Sequence, residues 1–196
     1  MSQGQSAGAE TNPVGLFTAS AAKVSMGVSR TADLDGALAV ALGLAQERLA
    51  QGPPQDGLDM LFLCGLPGAL PEKYRALGAE RGIRVIRDGL RAVRGWIGTA
   101  FSLASLAIAE TATLVLSGEG EDARLSGMIS LTHVIAVREE KILMALGDAL
   151  PEVQAMMGRP GHVSFVSGPS RTADIERVLA LGAHGPQRVQ ALVMGG

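Results

Sequence analysis

The chain of 196 residues carries 17 Lys and Arg against 19 Asp and Glu, a formal charge of −2, with 26 Gly, four Phe, one Tyr, one Trp and one Cys. That length suits one domain with one substantial core. A single thiol excludes an intrachain disulfide, a four-thiolate zinc site and an ordinary iron–sulfur cluster held by this chain, and balanced charge with few aromatics leaves neither a basic stripe nor a stacking platform for nucleic acid.

The first thirteen residues, MSQGQSAGAETNP, are small and polar, without apolar periodicity or the apolar core of a signal peptide. They are read as a flexible tail at 1–13 before a globular domain at 14–196, and with one thiol they favour a cytoplasmic protein. Lys23 to Val28 alternates as a short strand. Leu34, Leu38, Ala41, Leu42, Ala45 and Leu49 recur at helical spacing from Asp33 to Ala50, with Thr31 as the expected N-cap and Gly52-Pro53-Pro54 as the stop. Leu58 to Cys64 is a continuous apolar run suited to a strand buried on both faces. A helix is expected from Pro71, and a strand over Ile83 to Ile86 after Gly82.

Thr99 to Leu116 has nearly the length of a membrane span, but Glu110 falls inside it, so a buried non-membrane segment is the better reading. Further strands are expected at Ala112 to Leu116 and Val134 to Val137, a helix over Leu143 to Met157, and strands at Val163 to Val166, Val178 to Leu181 and Val189 to Val193. Strands alternating with helices at this interval predict an α/β single domain with a largely parallel mixed sheet flanked by helices.

Three segments could carry chemistry. In Ser167-Gly168-Pro169-Ser170-Arg171-Thr172-Ala173-Asp174, directly after a predicted strand, Gly168 allows a sharp exit, Ser170 and Thr172 supply hydroxyls, and Arg171 supplies a planar donor fork for a carboxylate or phosphate. The competing reading is a turn fixed by Pro169, with Thr172 capping a helical turn and Arg171 paired to Asp174 or Glu176. His184, between Gly182-Ala183 and Gly185-Pro186, can present its ring to a cleft or stand exposed without a role. Glu110, between small residues in an apolar stretch, reads either as a buried carboxyl with a raised pKa or as a carboxylate satisfied by Arg124 or backbone amides.

Other features read as inert. Gly118-Glu119-Gly120-Glu121 is taken as a flexible acidic turn, Gly161-His162 as a strand opening, Met156-Met157 as core or interface packing, and Cys64 as a small buried apolar residue with a raised thiol pKa. The three His, at 133, 162 and 184, lack metal-ligand spacing.

The segments IAETATL (Ile108 to Leu114), ARLSGMISLTHVIAV (Ala123 to Val137), SFVSGPSRTADIE (Ser164 to Glu176) and LGAHGP (Leu181 to Pro186) resemble, in order and spacing, the LutC/YkgG family, the lactate-utilisation or LUD domain. The resemblance is strong from Ala104 to Val193 and loose from Val14 to Gly95, and Ala112 stands where the family usually has Gly. It implies a fold similar to the NagB/RpiA/CoA-transferase class and a non-redox part in oxidising L-lactate to pyruvate. It also implies Cys-rich iron–sulfur partner proteins that hold the clusters, and no cofactor on this chain.

Carried over by motif, Glu110 and His184 become catalytic candidates, and Thr111, Gly168, Ser170, Arg171, Thr172 and Asp174 become ligands of a small anionic substrate in one cleft. Two alternatives stay open. One is an independent enzyme using Glu110 on an acyl or phosphate-ester substrate; the other is a non-catalytic binding or structural subunit, with a homo-oligomer compatible with either.

Overall fold

A computed structural model describes residues 12–51, 58–66, 68–93, 95–169 and 185–195, and the backbone of 171–173 and 179–181. It is an α/β structure of two larger sheets, a two-stranded ribbon and five α-helices among the described residues. Helix α1, Pro13–Lys23, opens it; Asn12 caps the helix by accepting from the Val14 N–H at 3.0 Å, and Pro13 sits where no amide donor is needed. Asn12 and Pro13, read from sequence as tail, are therefore the helix start. The strand expected at Lys23 to Val28 is displaced to β1, Gly27–Thr31, because Val14, Phe17 and Ala21 bury one face of a helix that runs through Lys23.

Helix α2, Leu34–Ala50, is capped by Asp33 and not Thr31: the Asp33 carboxylate accepts from the Gly36 N–H at 2.8 Å. Strand β2 (Met60–Leu63), helix α3 (Leu70–Ala79) and strand β3 (Arg84–Ile86) follow as the sequence suggests. The apolar stretch from Thr99 to Leu116 resolves into three strands, β4 (Ile97–Leu103), β5 (Leu106–Ile108) and β6 (Thr113–Gly118). Helix α4 (Glu121–Ile129), β7 (Ser130–Arg138), β8 (Ile142–Leu143), α5 (Leu146–Met157) and β9 (His162–Val166) come next, then β10 (Arg171–Ala173), β11 (Leu179–Leu181) and β12 (Arg188–Met194).

Six strands form one entirely parallel sheet in the order β1-β12-β7-β4-β2-β3. The antiparallel pairings are segregated into a second sheet, β8-β5-β6-β9, and the two-stranded β10-β11 ribbon. Arg171–Ala173 is thus a strand, and the helical turn of the competing reading, at Asp174 and Glu176, lies outside the described residues.

The parallel sheet is covered on both faces, which is why its strands read as near-continuous apolar runs. Along β7, Val134 and Ala136 face α2 and α3, while Ile135 and Val137 face α1 and the second sheet. In the second sheet Ala107, Leu114 and Leu116 face the parallel sheet, whereas Leu106, Ile108 and Val115 pack on Ala149 and Val153 of α5. Small residues at Ala107, Ala109 and Ala112 let the second sheet lie close against the first. Among the described residues no helix is long and apolar enough to cross a membrane.

Candidate functional site

β2 continues through α3 to β3 at one edge, whereas its neighbour β4 leads, by way of β5, β6 and α4, to β7 on the other side. Adjacent parallel strands whose connections depart in opposite directions part at their carboxyl ends, and open α/β sheets bind ligands in the crevice so formed. A cavity of about 760 Å³ occupies this position. Its wall comprises Cys64 and Gly65 after β2, Ser102 to Ser105 at the end of β4, Leu116 to Gly118 at the end of β6 and the first turn of α4.

The innermost polar group is a buried pair. Ser102 Oγ lies 2.9 Å from His133 Nε2 on the neighbouring strand β7, with Ser102 4% and His133 0% exposed. His133 Nδ1 has no hydrogen-bond partner among the described residues, and Gly127 of α4 sits directly over that edge of the ring: a Cβ there would lie 3.6 Å from Nδ1. Burial pushes the His133 pKa down to about 4, so the imidazole is neutral near pH 7.

Cys64 lies beside Ser102 on the cavity wall, half-buried and not fully buried as its sequence context suggests, while its thiol pKa is raised as expected. Burial pushes its thiol pKa up, the Asp122 carboxylate adds to that, and a hydrogen bond from Ser102 acts in the opposite direction.

Around the mouth the charges largely satisfy one another. Arg91 Nη1 reaches both oxygens of Glu121 at 2.7 Å, and this contact draws the Glu121 carboxyl below its ordinary value. Asp122 accepts from the backbone N–H groups of Gly89 at 2.8 Å and Leu90 at 3.0 Å. Arg87 is the loosely held cation, 3.9 Å from Glu72 and 44% exposed. Gly118 to Glu121 is no free acidic turn, because Gly118 ends β6 and Gly120, at φ 92°, turns the chain into α4. Acids in that first turn favour the helix electrostatically.

The motif-derived residues that are described, Glu110, Thr111 and Gly168, lie at the opposite end of β6. Glu110 is exposed, not buried: its Oε1 accepts from the Leu146 N–H at 2.7 Å, so the carboxylate caps the start of α5 and does not pair with Arg124. Thr111 Oγ1 meets Thr113 Oγ1 at 2.7 Å, and Thr113 in turn meets Ser167 Oγ at 2.7 Å. A hydroxyl chain thereby ties the Glu110–Thr111 turn to the residue before Gly168. Gly168, at φ 93°, passes so close to α1 that a Cβ would sit 2.4 Å from the Val24 carbonyl oxygen.

Glu110, Thr111 and Gly168 thus share one region. Ser170, Asp174 and His184 lie outside the described residues, as do the side chains of Arg171 and Thr172. Ala112 takes a left-handed φ of 49°, which accounts physically for a glycine being usual at this position in the family the motifs resemble.

Sequence reasoning missed the Ser102–His133 pair. The available signal was a polar residue in each of two apolar strand runs, AFSLASL and SLTHVIAV. Pairing them requires the β4–β7 register, in which Ala100 lies opposite His133 and Ser102 opposite Ile135. No group of three or more His, Cys, Asp or Glu among the described residues is arranged to hold a metal ion.

The family model described as the LUD domain matches residues 14–194. The chain belongs to the LUD domain family. This LUD domain is 29% identical over 168 residues to Lactate utilization protein C of Deinococcus radiodurans, an alignment covering 84% of this chain and 70% of that protein. It is 33% identical over 102 residues to Lactate utilization protein C 1 of Bacillus mycoides, covering 50% of this chain and 43% of the relative. Against Lactate utilization protein C of Geobacillus thermodenitrificans the figures are 28% over 102 residues, 50% and 42%, so this chain spans less than half of these two relatives. Among solved structures, a DUF162 family protein from Deinococcus radiodurans superposes with a TM-score of 0.59 at 21% identity, covering 94% of the LUD domain here and 96% of that chain, a likeness of fold.

Proposed function

We propose that this LUD domain protein acts in the cytoplasm in L-lactate utilisation, as a non-redox component that binds a small anionic ligand while Cys-rich iron–sulfur partner proteins carry the electrons. The observation that carries this reading is the alignment with the Deinococcus radiodurans protein named Lactate utilization protein C over 84% of the chain. One thiol cannot ligate an ordinary cluster, so electrons from lactate must leave through another protein. Glu110, Thr111, Gly168, Ser170, Arg171, Thr172, Asp174 and His184 remain the motif-derived candidates for that ligand. The reading of Glu110 as an acyl-transfer nucleophile gains no support from its position, since one oxygen is already engaged by the Leu146 N–H.

The experiment is deletion of the gene in its native cell with growth on L-lactate as sole carbon source, together with affinity capture of the tagged protein. Lost growth, restored by the intact gene, and co-purification of a Cys-rich partner able to reduce a dye in a lactate-dependent way are expected. Undiminished growth and lactate oxidation in the deletion strain would refute the proposal.

A further inference from the structure

The cavity between the ends of β2 and β4 contains a polar group whose hydrogen-bonding direction is set from behind. His133 is neutral and enclosed, so one ring nitrogen carries a proton and the other a lone pair. If Nδ1 held the proton, a buried N–H would have no acceptor, and orphaned N–H donors are the rarer and costlier defect. Placing the proton on Nε2 instead gives it an acceptor at 2.9 Å, the Ser102 oxygen, and leaves only a lone pair facing Gly127. Ser102 is then an acceptor on its His133 side, and its own proton points forward along the cavity wall, where its partner Cys64 is a weak acceptor that a ligand oxygen can replace.

We propose that this cavity is a ligand site in which Ser102, oriented by His133, donates a hydrogen bond to the keto oxygen of a 2-oxo acid, with the ligand's carboxylate toward Arg87. The choice of a 2-oxo acid rests on the lactate-utilisation reading, whose product would be one; the donor character of the site does not. Arg87 is the cation of the cavity least committed elsewhere, because Arg91 is held by Glu121. His133 is a positioning residue behind the hydroxyl and does not abstract its proton, so Ser102 is a binding group and not an activated nucleophile. The site is separate from the Glu110–Gly168 region, which lies beyond the other end of β6.

The test uses the full chain with 15N-labelled histidine and a 15N-labelled backbone, and pyruvate as the probe. The free protein is expected to show His133 protonated on Nε2, and pyruvate to shift the His133 nitrogens and the amides of Ser102 to Ser105. Isobutyrate, which has a methyl where pyruvate has its keto oxygen, is expected to bind about tenfold more weakly, the loss of one hydrogen bond to a good acceptor. Ser102→Ala should remove that preference. Because the variant leaves the His133 N–H without an acceptor and could unfold, the wild-type pyruvate-to-isobutyrate comparison decides the matter without it.

A proton on Nδ1, equal binding of the two acids, or pyruvate shifts confined to the segments around Arg171 would each overturn the proposal, as would no response to millimolar pyruvate. The outcomes separate from those of the functional reading. Loss of growth on lactate with no pyruvate response refutes the site alone, whereas pyruvate binding in the cavity with normal growth of the deletion strain refutes the function alone.

Discussion

Acidification should destabilise this protein through His133 in a window that begins well above the range of ordinary carboxylates. The folded-state pKa is about 4 against an ordinary 6.5, and the sole cause is burial. Above 6.5 neither the folded nor the unfolded chain binds a proton at this ring, so His133 imposes no pH penalty. As the pH falls below 6.5 the unfolded chain takes up a proton that the folded chain refuses, and stability drops by about 1.4 kcal/mol per pH unit until the folded ring also protonates near 4. Integrated, the loss is about 2 kcal/mol by pH 5 and about 3 kcal/mol at its limit, a large share of the roughly 5–15 kcal/mol that holds a typical domain together.

The assay is urea unfolding of the wild type and of His133→Gln at pH 7, 6, 5 and 4.5. Glutamine has nearly the volume of histidine, offers Ser102 a donor and does not titrate. Other groups protonate in the same range, but they are common to both proteins and cancel in the difference. The variant should be the less stable at pH 7 and should gain about 2 kcal/mol relative to the wild type by pH 5. Parallel stability curves for the two proteins, or a His133 ring titrating near 6.5 by NMR, would refute the reasoning.

Three further outcomes follow from particular contacts. Ala112→Val should cost about 2 kcal/mol or more in thermal or urea unfolding, since a β-branched residue must enter a left-handed conformation at a fully buried position, whereas Ala112→Gly should stay within about 1 kcal/mol of the wild type because relieved strain offsets a lost methyl contact. Glu110→Ala should lower stability by about 1 kcal/mol by removing the acceptor at the start of α5, with Glu110→Gln losing less because its carbonyl still accepts. Alkylation of Cys64 by iodoacetamide should be slow at pH 8 and should accelerate with a midpoint above that of an ordinary free thiol; in Asp122→Asn the midpoint should fall, as one of the two influences raising it is removed.

The parallel sheet was largely legible in the sequence because its strands are buried on both faces, and uninterrupted apolar runs such as LDMLFLC and HVIAV have no other use in a chain of this size. α2 was legible for the complementary reason, a long helical spacing of Leu and Ala ended by Gly and Pro. The second sheet was not: β4, β5 and β6 follow one another with almost no polar punctuation, so Thr99 to Leu116 reads as one apolar block, and its division depends on which neighbour each strand faces.

α1 was missed because its polar face merges with the polar residues before it, and α4 because the acids that stabilise its first turn resemble those of a loop. At the candidate sites, local sequence placed Glu110 between apolar neighbours but could not show that the chain turns outward at Ala112 and exposes it. The Ser102–His133 pair depends on strand register across 31 residues of chain, information carried by no single motif.

The strand order also bears on how the protein comes into being. β1 is made long before its partner in the sheet, β12, the last of the described strands in chain order. β12 also covers the flank of β7, so two strand edges remain bare until β12 has been made. The parallel sheet therefore cannot close strand by strand as the chain is made, and its completion is an event of high contact order. A chain whose synthesis pauses before β12 holds both edges open, and during that interval the nascent protein is most in need of a chaperone.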